Sequence, residues 1–186
     1  LLIGVPSTLL MTRGDAILRV GVPRAVAEAD AIAVLLLHPE LESSHGPWLR
    51  SLPSFAHIPQ LWPPECDAPL RCPSLLAKIA AERADIEERY ETAPLRQTLG
   101  YGLDAFRKAL ACVSSRGMAL CDPYLGAETT ALVPVADLLN HASEEMSNIR
   151  AEYEFIKTAD GFGAAYCFYT TVRALDTHAR SPFFYY

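Results

Sequence analysis

The chain has 186 residues, of which 51% are hydrophobic and 20% charged, and it carries a formal net charge of −6 at pH 7. This composition is ordinary for a globular protein with one or two cores, and the acidic balance argues against an extended basic surface for nucleic acid. The apolar stretch 31–37 is far too short to span a bilayer, so we expect neither nucleic acid nor a membrane as a partner.

The first 22 residues predict a strand, a turn and a linker. The apolar run Leu1 to Pro6 has the pattern of a strand, and Arg13-Gly14-Asp15 carries a turn signal. A helical region follows over residues 23–114. It begins with a predicted helix from Pro23 to about Leu37, because proline is favoured at the first helical position.

Prolines divide the next stretch into short turns and brief helices: Pro47, Pro53, Pro59, Pro63, Pro64, Pro69 and Pro73. Ser74 is then predicted to cap a long helix with Leu75, Ile79 and Ile86 on one face. The charged residues opposite are typical of a solvated face. The pattern from Leu103 to Ser114 predicts another amphipathic helix.

From about Met118 the pattern changes to short strands. The segments Glu152 to Lys157 and Gly163 to Val172 flank Asp160-Gly161, a pair typical of a hairpin turn. The order is therefore strands, helices, strands, with no regular βαβ repeat and no Gly-x-Gly-x-x-Gly that opens a helix. This order argues against a Rossmann-type sheet and predicts an α+β fold.

An apolar run from Ala131 ends at Asp137, and two leucines and a polar pair follow it. Burying the amide of Asn140 beside the imidazole of His141 is costly unless both groups find partners, so the pair suggests a bound ligand. Ser115-Arg116 follows the last predicted helix and adds a fixed cation. Taken alone, Asn140 could instead cap a turn, His141 could be a satisfied core histidine, and Arg116 could complement the helix dipole.

In this order, these elements resemble the SET-domain protein methyltransferases, in the branch typified by the plant Rubisco large-subunit lysine methyltransferase. In that branch a helix ends in Ser-Arg, and a segment like Val-Pro-x-Ala-Asp-x-x-Asn-His follows. The matching residues here are Ser115-Arg116 and Val133-Pro134-Val135-Ala136-Asp137-Leu138-Leu139-Asn140-His141. Two earlier stretches agree in order: Leu1 to Pro6, like an early strand leading into Val-Pro, and Trp48 to Pro53, like Trp-x-x-x-Leu-Pro. The resemblance spans nearly the whole chain and is most specific over 106–168.

The resemblance implies a split SET-like β domain with a helical insertion. Residues 1–22 would be the N-terminal part of the SET domain, 23–114 the inserted helical region, and 115–186 a truncated C-terminal part. The family's Gly-x-Gly loop before the Val-Pro strand and its closing Tyr-Gly-Phe segment are absent from the sequence. We therefore expect a partial SET domain.

The activity implied by the resemblance is methyl transfer from S-adenosylmethionine to a lysine of a non-histone protein substrate, with histidine as an alternative acceptor. Because the sulfonium is already activated, no metal is required. Arg116, Asn140 and His141 would bind the cofactor. Asp137 would place the substrate amine through its backbone, although it could equally cap the segment that follows.

Two tyrosines complete the implied site. Tyr153 would line the substrate channel, although an aromatic residue is also expected on a half-buried strand. Tyr186 would be the catalytic tyrosine whose hydroxyl lies beside the transferred methyl. That alignment requires Ala179-Arg180-Ser181-Pro182 to replace the usual Gly-Glu turn before the last strand.

A second function stays open from the sequence: a truncated SET-like domain that acts as a non-catalytic binding or structural module. Hydrolase chemistry is disfavoured, because neither a Gly-x-Ser-x-Gly elbow nor a His-Glu-x-x-His set is present.

The five cysteines are odd in number and contain no Cys-x-x-Cys pair, so we expect reduced, mostly buried thiols and no zinc site. This favours an intracellular protein, cytoplasmic or nuclear. Organellar targeting stays open, because the true N-terminus is expected to be missing.

Overall fold

The computed structural model describes residues 2–67, 69–121, 128–139, 149–158 and 161–170. The strands within these residues are β1 (Ile3–Pro6), β2 (Met11–Thr12), β3 (Met118–Cys121), β4 (Glu128–Leu132), β5 (Ile149–Thr158) and β6 (Gly161–Thr170). The helices are α1 (Arg13–Asp15), α2 (Glu28–Leu36), α3 (Leu41–Ser51), α4 (Pro73–Glu91), α5 (Arg96–Leu99) and α6 (Leu103–Arg116). Short 3₁₀ turns occupy Ser7–Leu9, Pro59–Leu61, Pro64–Cys66 and Ala136–Leu138.

The strands form two antiparallel three-stranded sheets, in the orders β1-β6-β5 and β2-β4-β3. In each sheet a strand from the first 12 residues pairs with a central strand from beyond residue 127: Ile3 lies opposite Phe168, and Met11 lies opposite Leu132. The helices come from the chain between these strands. The fold is therefore α+β, and the predicted fold class is confirmed.

The predicted hairpin is confirmed in β5 and β6, which pair from Ile149 opposite Thr170 to Thr158 opposite Gly161. Asp160 of the predicted turn lies outside the described residues. Tyr153 lies directly opposite Tyr166, so the two side chains share one face of the hairpin. Their rings meet edge to face at a centroid distance of 5.2 Å.

Two hydrophobic cores are found among the described residues. The helical core packs α2 and α6 together around Phe106, which is fully buried. The sheet core contains Val5, Leu10, Leu120, Ala131, Val133, Ala136, Tyr166 and Phe168. The predicted helix from Leu103 is confirmed and runs two residues further, to Arg116, with one apolar face in the helical core.

Two predicted helix starts are wrong. The first long helix begins at Glu28 and not at Pro23, where the chain forms a turn closed by a bond from the Val26 amide to the Pro23 carbonyl. In α4 the first position is Pro73, so Cys72 and not Ser74 occupies the N-cap. Proline suits the first helical position because its missing N–H would have no partner there.

The predicted turn at Arg13-Gly14-Asp15 is also wrong, because this segment forms the helical turn α1. Thr12 and Asp15 make a reciprocal capping box: the Thr12 hydroxyl accepts from the Asp15 amide at 3.2 Å, and the Asp15 carboxylate accepts from the Thr12 amide at 3.0 Å. Such a box satisfies two amides that a helix start otherwise leaves unpaired. A π-helical turn, Ala16–Val20, follows α1, and the chain leaves it at Gly21, whose φ of 78° suits glycine.

Pro47 lies inside α3 and does not break it, contrary to the predicted turns and brief helices. A proline in a helix interior removes a hydrogen bond and clashes with the preceding turn. The burial of Leu41, His45 and Trp48 on one side of α3 offsets this cost. Tertiary packing therefore decides this helix against its local propensity.

His45 ties α3 to the loop before β2. Its side chain is buried, with Nε2 3.0 Å from the Leu9 carbonyl oxygen and Nδ1 2.7 Å from the Ser44 hydroxyl. Because a carbonyl only accepts, Nε2–H donates to Leu9, and Nδ1 is left to accept from Ser44 in the neutral ring. Burial, together with the nearby Arg19 cation, lowers the pKa of His45 below its ordinary value of 6.5.

We expect this histidine to make the protein less stable in mild acid. Since the folded-state pKa of His45 is lowered, the unfolded state binds the extra proton more readily, and stability falls as pH drops from about 6.5. Urea unfolding of the wild type and of His45→Gln between pH 7.5 and pH 5 measures this. The wild type should lose more of its free energy of unfolding over that range than the variant. Parallel curves would show that His45 does not cause the loss.

Candidate functional site

The end of α6 fixes the position of Arg116. The Gly117 amide donates to the Val113 carbonyl at 2.8 Å, and the chain then enters β3. A Cβ at position 117 would lie 2.6 Å from the same carbonyl oxygen, so only glycine fits this close approach. Arg116 therefore lies at a sharp junction between the last helix and the β2-β4-β3 sheet.

Backbone hydrogen bonds close the turn that follows β4. The amide of Asp137 donates to the Val133 carbonyl at 3.0 Å, and the amides of Leu138 and Leu139 continue the 3₁₀ turn with bonds of 3.1 Å and 2.9 Å. Val135, just before this turn, has a φ of 73° and a ψ of −44°. A β-branched residue with this backbone is strained, so contacts from outside the segment must stabilise it.

The carboxylate of Asp137 is the centre of a buried polar group. Its side chain is 0% exposed. Oδ2 lies 2.7 Å from Nη1 of Arg116, and Oδ1 accepts a hydrogen bond from Nε1 of Trp48 at 3.2 Å. We call Trp48, Arg116 and Asp137 the Asp137 network. It joins three elements, because Trp48 lies in α3, Arg116 ends α6, and Asp137 lies in the turn that leads to Asn140.

The network brings together two residues that the sequence placed in the site for different roles. Nη1 of Arg116 also lies 3.4 Å from the backbone carbonyl oxygen of Asp137. Both contacts with Asp137 therefore use Nη1 of Arg116. A guanidinium has five N–H donors in all, so it has donors besides those on Nη1. The carboxylate of Asp137 therefore contacts both Trp48 and Arg116.

Tyr153 packs against the sheet core, which also contains Val133 and Ala136 from the segment before Asp137. Leu139 packs against the same core. The structure thus places Tyr153 and this segment on one apolar cluster. Asn140, His141 and Tyr186, the other predicted site residues, lie outside the described residues.

Trp48 was predicted only as part of a family-like stretch, and sequence reasoning missed its place in the network. The signal that could have found it is chemical. A buried indole N–H requires an acceptor, and Trp48 is 8% exposed. Which acceptor it meets depends on a contact between residues 89 positions apart.

Cys112 lies on α6, about one turn before Arg116. Burial raises the pKa of the Cys112 thiol to about 12, so this thiol is not a ready nucleophile. Cys66, Cys72, Cys112 and Cys167 are free thiols, but the first two are exposed, so the expectation of mostly buried thiols is only half met among these four.

No three histidine, cysteine or acidic side chains in the described ranges are grouped as metal ligands would be. Likewise, none of the described helices combines the length and the apolar character needed to cross a membrane.

A cleft of about 300 Å³ lies in the helical region, away from Asp137. Its lining comes from α2, α4, α6 and the 3₁₀ turn at 59–61 and includes Ile58, Leu61, Ile86 and Leu110. Its two cationic residues, Arg89 and Arg107, are already paired with carboxylates. None of the three residues of the Asp137 network lines this cleft, so the cleft and the network are separate features.

Comparisons with known proteins identify a similar fold but no family. No protein-family model matches the sequence, and no curated protein matches it. Among solved structures, a crystal structure of the SET domain of LSMT bound to lysine and AdoHcy is similar, with a TM-score of 0.67 and 17% sequence identity. The match covers 88% of this chain and 40% of that one. This likeness shows a SET-like α+β fold, as predicted, in a chain that spans about two fifths of its structural neighbour.

Proposed function

We propose that this chain is part of an S-adenosylmethionine-dependent protein-lysine N-methyltransferase that acts on a non-histone protein. The observation that carries the proposal is the buried ion pair between Arg116 and Asp137. It joins the two sequence elements that resemble SET methyltransferases, inside a fold that is SET-like. That the structural neighbour is bound to lysine and AdoHcy supports this choice of substrate and cofactor.

In this proposal, residues 1–22 and 115–186 form parts of one SET domain, and residues 23–114 are inserted between them. Pairing of β1 and β2 with strands from beyond residue 127 supports this division.

The described residues fit a cofactor with an anionic end. Arg116 is held at a fixed place by Asp137 and Gly117, and its side chain is 17% exposed. A planar guanidinium with further N–H donors suits a carboxylate. When bound, S-adenosylmethionine supplies an activated methyl group, so no metal is needed to polarise the reaction. We propose that Arg116 binds the carboxylate of S-adenosylmethionine and that Asn140 and His141 bind the rest of the cofactor.

The substrate amine must lose its proton and approach in line with the methyl–sulfur bond in a site that excludes water. We propose that the backbone of Asp137 helps to orient the amine, that Tyr153 lines its approach, and that the Tyr186 hydroxyl lies beside the reacting methyl. The position of Tyr153 on the same core as the segment before Asp137 supports its part.

The first test is cofactor binding by the full-length protein. At an S-adenosylmethionine concentration about 100 times its Kd, binding to the folded state alone should add about 2.7 kcal/mol of stability. Thermal unfolding with and without cofactor measures this, and Asn140→Ala should reduce the shift. If saturating cofactor leaves the melting temperature of the full-length protein unchanged, the binding-module alternative replaces the enzyme.

The acceptor is decided separately. The full-length protein is incubated with cofactor and a cell extract, and the modified residues are located by mass spectrometry. Methyl groups on lysine side chains are the expected result. Methyl groups on histidine alone would keep the enzyme class and correct the acceptor.

A further inference from the structure

Trp48 connects the two cores of the protein. Its ring belongs to the helical core, while its Nε1 donates to Asp137, the residue directly after Ala136 of the sheet core. Trp48 lies on α3, in the region inserted between the SET-like parts. A contact at Trp48 can therefore transmit the position of the helical region to the segment that precedes Asn140.

The two hydrogen bonds of the Asp137 carboxylate act as a pair. Arg116 engages Oδ2 and Trp48 engages Oδ1, so the plane of the carboxylate is fixed from both sides. Without the indole N–H, Oδ1 would be a buried acceptor with its charge poorly compensated, which is unfavourable. The carboxylate could then rotate away from its present orientation, and Arg116 would lose its fixed partner.

The local backbone makes such outside support necessary. Val135 is in a strained conformation, and the residue is 53% exposed, so its own packing contributes little to holding that conformation. Ala136 and Asp137, which follow, are buried. Besides its backbone hydrogen bonds, the turn is therefore held by the burial of these two residues and by the Asp137 network.

We propose that Trp48 is a positioning residue: through Asp137 it fixes both Arg116 and the turn that leads to Asn140, and so couples the inserted helical region to cofactor binding. The coupling to the cofactor rests on the proposed function, whereas the fixing of the turn does not. Two measurements separate these parts.

The first measurement is hydrogen exchange of the Asp137, Leu138 and Leu139 amides in the full-length protein. Trp48→Phe keeps an aromatic ring and removes the N–H donor, and it should speed exchange at these amides by about tenfold. Trp62→Phe is the matched control, because the Trp62 N–H also makes a bond, at 2.7 Å to the Ala56 carbonyl, outside the network. Unchanged exchange in Trp48→Phe, or equal acceleration in both variants, overturns the proposal.

The second measurement is the Kd of S-adenosylmethionine by calorimetry. Trp48→Phe should weaken binding by about tenfold and Trp62→Phe by less than about twofold. Because Trp48 acts through Asp137, it should have little further effect in an Asp137→Asn background, a non-additivity that general destabilisation does not give. If Asp137→Asn does not fold, Arg116→Lys replaces it in the cycle.

Additive effects in the cycle would overturn the coupling of Trp48 to the cofactor. If the wild type binds no cofactor, the proposed function fails, and the exchange measurement alone decides whether Trp48 fixes the turn.

Discussion

Replacing Asp137 with alanine is expected to lower the free energy of unfolding by about 3–5 kcal/mol, because it leaves one member of a buried ion pair without its partner. The side chain of Asp137 is 0% exposed, and that of Arg116, at 17%, cannot regain full hydration without moving. The Trp48 N–H loses its acceptor at the same time. Both losses fall on a turn that directly follows the strained Val135.

Urea unfolding at neutral pH measures this effect. The matched control is Glu42→Ala, which removes the partner of Arg50 in an ion pair whose side chains are 58% and 66% exposed. Exposed pairs contribute at most about 1 kcal/mol, so this control should be nearly neutral. A loss below about 1 kcal/mol for Asp137→Ala would mean that the ion pair does not hold the turn. The Arg116–Asp137 ion pair would then no longer support the proposed function.

Replacing Phe106 with alanine is expected to cost about 3–5 kcal/mol as well, through the loss of apolar burial and the cavity that remains. Phe106 is 0% exposed at the centre of the helical core. Its ring centroid lies 6.0 Å from those of Tyr90 and Tyr101, and it is stacked on Tyr101. Aromatic pairs at such distances add to the cost beyond the buried area alone.

The measurement is again urea unfolding, with Leu75→Ala as the control. Leu75 lies on α4 with 41% of its surface exposed, so truncating it should cost much less. The slope of the unfolding free energy against urea should be the same in both variants if the native fold is kept. If Phe106→Ala costs no more than Leu75→Ala, the helical core is not centred on Phe106.

The elements predicted correctly are those whose pattern is strong and local. The helix from Leu103 has apolar residues at helical spacing, and the β5–β6 hairpin has two strand patterns around a turn pair. The predictions failed where one local signal was taken to fix the backbone: Pro23 and Ser74 as helix starts, Arg13-Gly14-Asp15 as a turn, and Pro47 as a helix breaker. Pro47 lies within α3 because the burial of Leu41 and Trp48 outweighs a local preference. No single-sequence pattern contains that energy.

The candidate site was predictable in part, for a different reason. The resemblance pointed to Arg116 and Asp137, and the structure shows them in contact. Their pairing with each other could not be derived from sequence, because it depends on how α6 packs beside the turn after β4. The part that Trp48 plays was harder to predict, because its hydrogen-bond partner lies 89 positions away in the sequence.

The pairing of β1 with β6 sets a condition on synthesis at the ribosome. Ile3 must wait for Phe168, 165 positions later, before its strand can pair. At about 5–20 residues per second, that wait lasts roughly 8–30 seconds. During this interval the nascent apolar segment Ile3–Pro6 is an unpaired strand, open to other chains. Its terminal Pro6 has no N–H to offer a foreign strand, which gives the newborn chain some protection against aggregation while its partner is still being made.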